Sequence, residues 1–338
     1  MLQLTLALLT ASTAIKLRAQ TVPSPPESPY TLHVYTRRLE IPTLVLPSPH
    51  PPVDAQKFTV SLDSGPRFHP NHIRLEGNDP ITLAILLDVS GDQSRLLAAF
   101  KQSMPMWVAL SFRPQDHVSI YAVDCSLLQT DNYQIPNPSV LGHGLDVAIT
   151  SPLSHGNKTR GSCANTIRLR DSMNVVIQHM AQLPGRRILL VVSNGYDGKS
   201  KLPWSALPAE ATGNDVSVFA LTSQDHLPLQ AEQSLNSLIE QTGGLYFFST
   251  ADSLPKILAN FINLLRSRFI LDFPMPANFS SGHHLIAVTI DKSDALIRPS
   301  GIAVPLPDPS IAKDPTTIPS SNPGAPIMGT QRAPAPHP

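Results

Sequence analysis

Residues 81–92 read ITLAILLDVSGD, a nearly continuous apolar run that ends in alternating polar side chains. A run of this kind predicts a strand that is covered on both faces, as in the parallel sheets of α/β proteins. In open sheets of that class, ligands bind beyond the carboxyl ends of the strands. The stretch therefore predicts a fold class and a site, with Asp88, Ser90 and Asp92 turned toward one point above the sheet.

The hydrophobic period alternates between strand and helix after this run. Apolar residues at helical spacing predict helices over residues 94–110, 164–183, 230–242 and 254–266, and apolar runs predict strands over 117–123, 188–192, 216–221 and 245–248. This succession predicts a doubly wound, mostly parallel α/β sheet, Rossmann-like in class, over residues 80–267.

Short β-like segments flank the α/β region on both sides, at residues 31–79 and 268–305. Prolines separate these segments, which favours edge strands over a parallel sheet. We expect the two regions to pair with each other in one small β-sandwich module. Residues 21–30 are interpreted as a Pro-rich linker, and residues 306–338 as a Pro-rich disordered tail.

The composition excludes some classes of partner. The chain has 338 residues, with 25 Lys plus Arg and 25 Asp plus Glu, so it offers no general electrostatic reason to bind nucleic acid.

Residues 1–20 are interpreted as a signal peptide, which predicts a periplasmic or secreted protein; a buried helix or an uncleaved anchor is the alternative. No later segment reaches the roughly 20 apolar residues of a membrane helix, so no span is expected after cleavage.

The chain has two cysteines, Cys125 and Cys163. Both are expected at the carboxyl edge of the sheet, which predicts a disulfide with Cα atoms about 4.4–6.8 Å apart. Two unrelated buried thiols are the alternative.

The segment Asp88-x-Ser90-x-Asp92 resembles the start of the metal-ion-dependent adhesion site of von Willebrand factor type A domains, which reads Asp-x-Ser-x-Ser. The resemblance implies that the family's threonine corresponds to Thr166 and its second aspartate to Asn194. It implies a Mg²⁺ or Ca²⁺ ion held by these five residues. Asn194 removes one negative charge from the site and Asp92 adds one elsewhere. Asp88 and Ser90 could instead cap the following helix.

Three further stretches carry a narrower resemblance. They are QTGGLYF at 241–247, LLRSRFIL at 264–271 and VYTRRLEIP at 34–42. Together they resemble an exported family, related to von Willebrand factor type A domains, that is common in Acidobacteria. This resemblance implies a fold and a compartment more than an activity.

The motifs of common enzymes are absent from the sequence: there is no G-x-S-x-G, no Walker loop, no H-E-x-x-H and no G-x-G-x-x-G after the first α/β strand. The sequence therefore predicts a non-enzymatic, adhesion-type binding protein whose degenerate metal site engages an unidentified protein partner. The alternative is a structural scaffold of the cell envelope with a vestigial site and no cation.

Overall fold

The computed structural model describes residues 33–34, 38–47, 54–90, 94–150, 167–223, 229–304 except 277, 279 and 281, and then 313, 317–318 and 324–330. The strands are β1 (His33–Val34), β2 (Arg38–Leu46), β3 (Phe58–Leu62), β4 (His72–Leu75), β5 (Ile81–Asp88), β6 (His117–Val123), β7 (Leu127–Gln134), β8 (Arg186–Val192), β9 (Val216–Ser223), β10 (Tyr246–Ser249), β11 (Phe269–Pro274), β12 (Gly282–His284), β13 (Ile286–Ile290), β14 (Leu296–Pro299), β15 (Ile302–Val304) and β16 (Thr317–Ile318). The helices are α1 (Ser94–Ser111), α2 (Pro138–Thr150), α3 (Leu169–Met180), α4 (Leu207–Gly213), α5 (Leu229–Gln241) and α6 (Leu254–Arg266).

The central sheet has six strands in the order β10-β9-β8-β5-β6-β7. All neighbours are parallel except β7, which runs antiparallel to β6. The chain moves outward from β5 to β7 and then returns to place β8 on the other side of β5. This reversal is a topological switch point at the carboxyl ends of β5 and β8, and α/β proteins bind their ligands in the crevice at such a point. The predicted fold class is confirmed.

Helices cover both faces of this sheet, which explains why every residue of β5 is buried. One buried layer contains side chains from α1, α2 and α6, and the other contains side chains from α3, α4 and α5. Within the part of the chain that the structure describes, no helix is both long and apolar enough to cross a membrane.

Strands from the two flanking regions pair with each other, as the sequence predicts. β11 lies between β2 and β4 and is antiparallel to both, and β14 pairs with the other edge of β2. β13 pairs antiparallel with β3 in a second small sheet. The side chains of both sheets meet in one buried cluster that includes Phe58, Leu62 and Phe273. These strands form the β module, built from both sides of the α/β region.

An ion pair inside the protein joins the β module to the α/β sheet. Arg268 lies between α6 and β11, and its Nε and Nη2 atoms donate to the two carboxylate oxygens of Glu76 at 2.6 and 2.8 Å. Its Nη1 donates to the hydroxyl of Ser217 on β9 at 3.1 Å. Both charged side chains are 1% exposed.

Three elements of the α/β region were not predicted: β7, α2 and α4. β7 reads LLQTDNYQ, whose polar residues hide the strand pattern of an edge position. α2 contains two glycines, which lower helix propensity. Gly144 is required there because a Cβ atom would lie 1.6 Å from a carboxylate oxygen of Asp131 on β7. The predicted helix over 164–183 is described as α3, from Leu169 to Met180.

The tail differs from the prediction of disorder, because residues 324–330 pack against the β module. Pro326 and Met328 are buried on either side of the exposed Ile327, which is the alternation of an extended segment. Met328 is 6% exposed and belongs to the buried cluster of the module. The sequence does not predict this packing, because a few apolar residues among prolines and glycines do not form a recognisable strand pattern.

Some predictions concern residues outside the described part of the chain. Residues 1–20 and 21–30 lie there, and so does Cys163. The signal peptide, the linker, the disulfide between Cys125 and Cys163, and the unit boundaries drawn from the sequence all stay predictions.

Candidate functional site

The candidate site lies where β5 and β8 end side by side. Leu87 of β5 pairs with Val192 of β8, so the residues that follow these two are neighbours across the crevice. Asp88 is the last residue of β5, and Ser193 and Asn194 come directly after β8. The sheet register therefore brings polar residues together that are 105 positions apart in the sequence.

Asp88 accepts hydrogen bonds on both carboxylate oxygens. Oδ1 accepts from the backbone N–H of Ser90 at 3.0 Å and from its hydroxyl at 2.6 Å. Oδ2 accepts from the hydroxyl of Ser193 at 2.7 Å. Asp88 is only 3% exposed. The carboxylate therefore acts from beneath the surface and holds the two hydroxyl groups in fixed orientations.

The two hydroxyls keep lone pairs, since a serine hydroxyl has one proton to donate and two acceptor positions. Ser90 uses its proton on Asp88. Ser193 does the same and also accepts the N–H of Gly195 at 3.1 Å. Neutral oxygen atoms oriented by a buried anion are suitable ligands for a hard divalent cation.

Asn194 is 4% exposed, and its side-chain oxygen accepts the N–H of Tyr196 at 2.9 Å. This contact is an Asx turn, which shapes the loop after β8. Gly195 has a φ of 79°, a left-handed conformation that glycine adopts without a steric cost. Asn194 thus supports the loop, and a neutral amide stands where the resemblance implies a carboxylate.

The structure places three of the five predicted site residues. Asp88 and Ser90 are in direct contact, and Asn194 follows Ser193, which also contacts Asp88. Asp92 and Thr166 lie outside the described residues. Residues 91–93, which precede α1, lie there too, so helix capping by Asp88 or Ser90 stays open as the alternative.

Ser193 was not predicted as a site residue. The resemblance directs attention to Asn194 alone, because the family's second aspartate corresponds to it. The register of parallel strands supplies the missing signal. Two neighbouring strands that both end in polar residues bring those residues together, and Ser193 is the first polar residue after the apolar run of β8.

Asp197 lies three residues after Asn194, close enough in sequence to substitute as a ligand, but the structure gives it another role. It accepts the backbone N–H of Arg170 at 2.7 Å near the start of α3, and the hydroxyl of Ser200 at 2.6 Å. Burial alone would raise the pKa of Asp197, but the hydrogen bonds from Arg170 and Ser200 outweigh it and hold that pKa below its ordinary value. Asp197 therefore stabilises the start of α3.

The donor set at the site limits which metals it could hold. Among the described residues, no group of three or more His, Cys, Asp or Glu side chains is arranged around a common point. Asp88, Ser90 and Ser193 provide oxygen atoms only, which suit Mg²⁺ or Ca²⁺ better than thiolate- or imidazole-binding metals. One described carboxylate with two hydroxyls fits a weak cation site.

The sequence matches no family model and no curated protein. The structure is similar to several solved structures at low sequence identity. One is proximal thread matrix protein 1 from the mussel byssus with a zinc-occupied MIDAS motif (12% identity, 60% of this chain and 50% of that chain, TM-score 0.44). Another is a von Willebrand factor type A protein from Catenulispora acidiphila (7% identity, 72% of each chain, TM-score 0.43). A third is the conserved hypothetical protein BatB from Bacteroides thetaiotaomicron (14% identity, 55% of this chain and 98% of that chain, TM-score 0.41).

This chain spans about half the length of the mussel byssus proteins that it matches. The likeness is one of fold. The order of the six-stranded sheet agrees with the predicted α/β fold class. The narrower exported family is not confirmed.

Proposed function

We propose that this von Willebrand factor A-like chain is a non-enzymatic, adhesion-type binding protein that engages a protein partner at the crevice between β5 and β8. The observation that carries the proposal is the contact of one buried carboxylate with two hydroxyls that follow two different strands. Asp88 fixes Ser90 and Ser193 at 2.6 and 2.7 Å. An arrangement held this firmly can present oxygen atoms to a ligand with little loss of conformational entropy on binding.

A divalent cation would supply a positive charge at this crevice, to which a carboxylate of the partner could bind. In this proposal the half-buried Ser90 offers a neutral oxygen ligand, the fully buried Ser193 offers a second one from beneath it, and Asp88 contributes its charge from below. Asp92, Thr166 and Asn194 are the remaining proposed ligands. Because cation affinity depends on the number of charged ligands, the amide of Asn194 makes this a weak site for Mg²⁺ or Ca²⁺.

The proposal assigns no catalysis to the crevice. A general base must reach the proton that it removes. Asp88 is 3% exposed, and both of its oxygens already accept hydrogen bonds from serine hydroxyls. The carboxylate therefore orients neighbouring groups.

Asn194 favours a second candidate function, an envelope scaffold that works without a cation. Its oxygen already accepts the N–H of Tyr196, so the loop after β8 is stabilised from within. Under this alternative the crevice is a vestige, and other surfaces dock the protein.

Thermal unfolding with and without a cation distinguishes the two candidates. The whole chain is melted in EDTA, in 10 mM Mg²⁺ and in 10 mM Ca²⁺, with the Asp88→Asn variant as the matched control. A cation bound only by the native state stabilises it by about 2.7 kcal/mol at a hundred times its Kd. The adhesion-type site requires a higher Tm with the cation for the wild type and none for the variant. Identical melting in all three solutions leaves the scaffold.

A capture experiment tests the partner half of the proposal. Immobilised wild type and Asp88→Asn are incubated with an extract of the source cells in Mg²⁺ or in EDTA. A protein retained only by the wild type in Mg²⁺ is the expected result. Equal retention by both proteins in both solutions contradicts a role for the crevice.

A further inference from the structure

Residues 324–330, GAPIMGT, lie in a groove of the β module as a bound peptide would. The groove is formed by the end of β3, the turn at Gly65 and the side chain of Asn278; we refer to it as the tail groove. Met328 is 6% exposed and shares its buried cluster with Leu62. Nineteen residues, 305–323, separate this segment from the end of β15.

The tail groove binds the backbone of the segment directly. The N–H of Gly329 donates to the carbonyl of Leu62 at 2.9 Å. The side chain of Asn278 accepts the N–H of Met328 at 2.8 Å and donates to its carbonyl at 3.1 Å. A side-chain amide that binds both backbone groups of one residue imitates a neighbouring β-strand, which is how extended peptides are often bound.

Steric contact restricts the residue after the methionine to glycine. A Cβ atom on Gly329 would lie 2.0 Å from the carbonyl oxygen of Asp63, and a Cβ atom on Gly65 would lie 2.4 Å from the nitrogen of Gly329. Both distances are far below van der Waals contact. Neither position can carry a side chain while the segment is bound.

We propose that the tail groove is a peptide-recognition site for an extended segment in which methionine is followed by glycine, and that the chain's own residues 324–330 occupy it at rest. The buried methionine gives affinity, the Asn278 amide fixes the backbone, and the contact of the two glycines gives selectivity. The occupant can exchange because the segment is short: its described contacts are the buried Pro326 and Met328 and the three hydrogen bonds with Leu62 and Asn278. The ligand class is a Met-Gly peptide of a partner protein that competes with the tail.

The covalent attachment of the tail limits how well a free peptide can displace it from the tail groove. The segment belongs to the same chain as the tail groove, so its binding is intramolecular and a free peptide must compete with its effective concentration. A free peptide therefore competes poorly with the intact tail. It binds well only when the tail is weakened.

Two glycine variants of the full-length chain separate the tail from the groove. Gly329→Ala expels the tail and leaves the groove unchanged. Gly65→Ala obstructs the groove itself, and Gly65 does not have the positive φ that would make alanine strained. The probe is the peptide GAPIMGT with an amino-terminal fluorophore, and binding is measured by fluorescence anisotropy.

The proposal expects Gly329→Ala to bind the probe at least tenfold more tightly than the wild type, and Gly65→Ala to bind it no better than the wild type. A probe that carries the same Gly329→Ala change should not bind to any of the proteins. Equal affinity of Gly329→Ala and the wild type overturns the proposal, as does tight binding by Gly65→Ala.

Hydrogen exchange of the wild type supplies a test that needs no variant. The amides of Met328 and Gly329 donate to Asn278 and Leu62, so their exchange should be slowed at least tenfold relative to an unstructured peptide. Exchange at the unstructured rate for both amides would mean that the groove does not hold the tail. Near-UV circular dichroism shows whether each variant keeps its fold.

Discussion

Two buried carboxylates, Asp88 and Glu76, show how the donor decides what a buried acid can do. They are 3% and 1% exposed. Glu76 receives two hydrogen bonds from the guanidinium of Arg268, whereas the hydroxyls of Ser90 and Ser193 donate to Asp88. A guanidinium has no lone pair, but a hydroxyl that donates its proton keeps two.

The two acids therefore have different roles at opposite ends of the central sheet. The pair of Glu76 with Arg268 is closed to any further ligand and joins the β module to the α/β sheet. In the group around Asp88, the half-buried hydroxyl of Ser90 keeps lone pairs for a cation or a partner, whereas Ser193 is fully buried beside it. We expect a substitution in the pair of Glu76 with Arg268 to affect folding, and a substitution in the group around Asp88 to affect binding.

The largest expected effect comes from breaking the closed pair. Arg268→Met leaves Glu76 buried without its guanidinium, and removal of one partner of a buried pair costs about 3–5 kcal/mol. The free energy of unfolding is measured by urea denaturation.

The double variant Arg268→Met with Glu76→Leu is its control, because an apolar replacement of a whole buried pair is often nearly neutral. We expect it to recover at least half of the loss. A single variant that unfolds within about 1 kcal/mol of the wild type would contradict a structural role for the pair.

Asp88→Asn should have a smaller effect on folding and a complete effect on the cation. The amide preserves the shape but loses a charged acceptor, which costs about 1.5–3 kcal/mol of stability in EDTA. Stabilisation by Mg²⁺ should vanish. Ser193→Ala, which keeps the carboxylate and removes one neutral ligand, should weaken Mg²⁺ binding without abolishing it. Isothermal calorimetry measures both, and unchanged uptake by Asp88→Asn excludes this cation site.

Much of the α/β region could be predicted from the sequence where each element has its own period. The helix over 254–266 and the strand over 117–123 have the predicted bounds in the structure. Their patterns are strong because one face, or both, is buried. The polar edge strand β7 and the glycine-containing α2 have weak local patterns, so their structure is decided by neighbours that a linear pattern does not show.

The candidate site divides in the same way. Asp88 and Ser90 could be predicted because they follow a recognisable strand within the same segment. Ser193 could not, because its role depends on β8 lying beside β5, a pairing between residues about a hundred positions apart. The docking of Met328 likewise depends on a groove that forms only when both ends of the chain are folded.

Asn194→Asp sharpens the difference between a vestigial and an active crevice. A carboxylate at this position adds a charged ligand, and we expect the affinity for Mg²⁺ to rise about tenfold, or about 1.4 kcal/mol. Without a cation the same change should lower the Tm, because two carboxylates near each other repel. Calorimetry tests the expected rise in Mg²⁺ affinity, and melting in EDTA tests the expected fall in Tm. A variant that melts higher in EDTA and binds no Mg²⁺ would contradict the site.

The smallest expected effect concerns Asp131, a third buried acid, which is 7% exposed and lies on β7 against α2. Among the described residues, its Oδ2 has no hydrogen-bond partner. Burial raises the pKa of Asp131, and the nearby charge of His143 lowers it only in part. A raised pKa means that the folded state holds the proton more tightly than the unfolded chain. The carboxyl group is therefore most compatible with folding below its unfolded pKa, and this contribution is lost as the pH rises through the folded pKa.

Asp131→Asn removes this titration while it nearly preserves the volume that Gly144 leaves open. We expect the variant to be more stable than the wild type by about 1 kcal/mol at pH 7, the lower end of the cost of a buried unsatisfied group, and to show no gain near pH 3. Urea denaturation at the two pH values measures the difference. Asp146→Asn on α2 is the matched control, because its half-exposed pair with Lys101 of α1 contributes little. A gain for Asp131→Asn that is the same at both pH values would show that packing, rather than the buried charge, separates the two proteins.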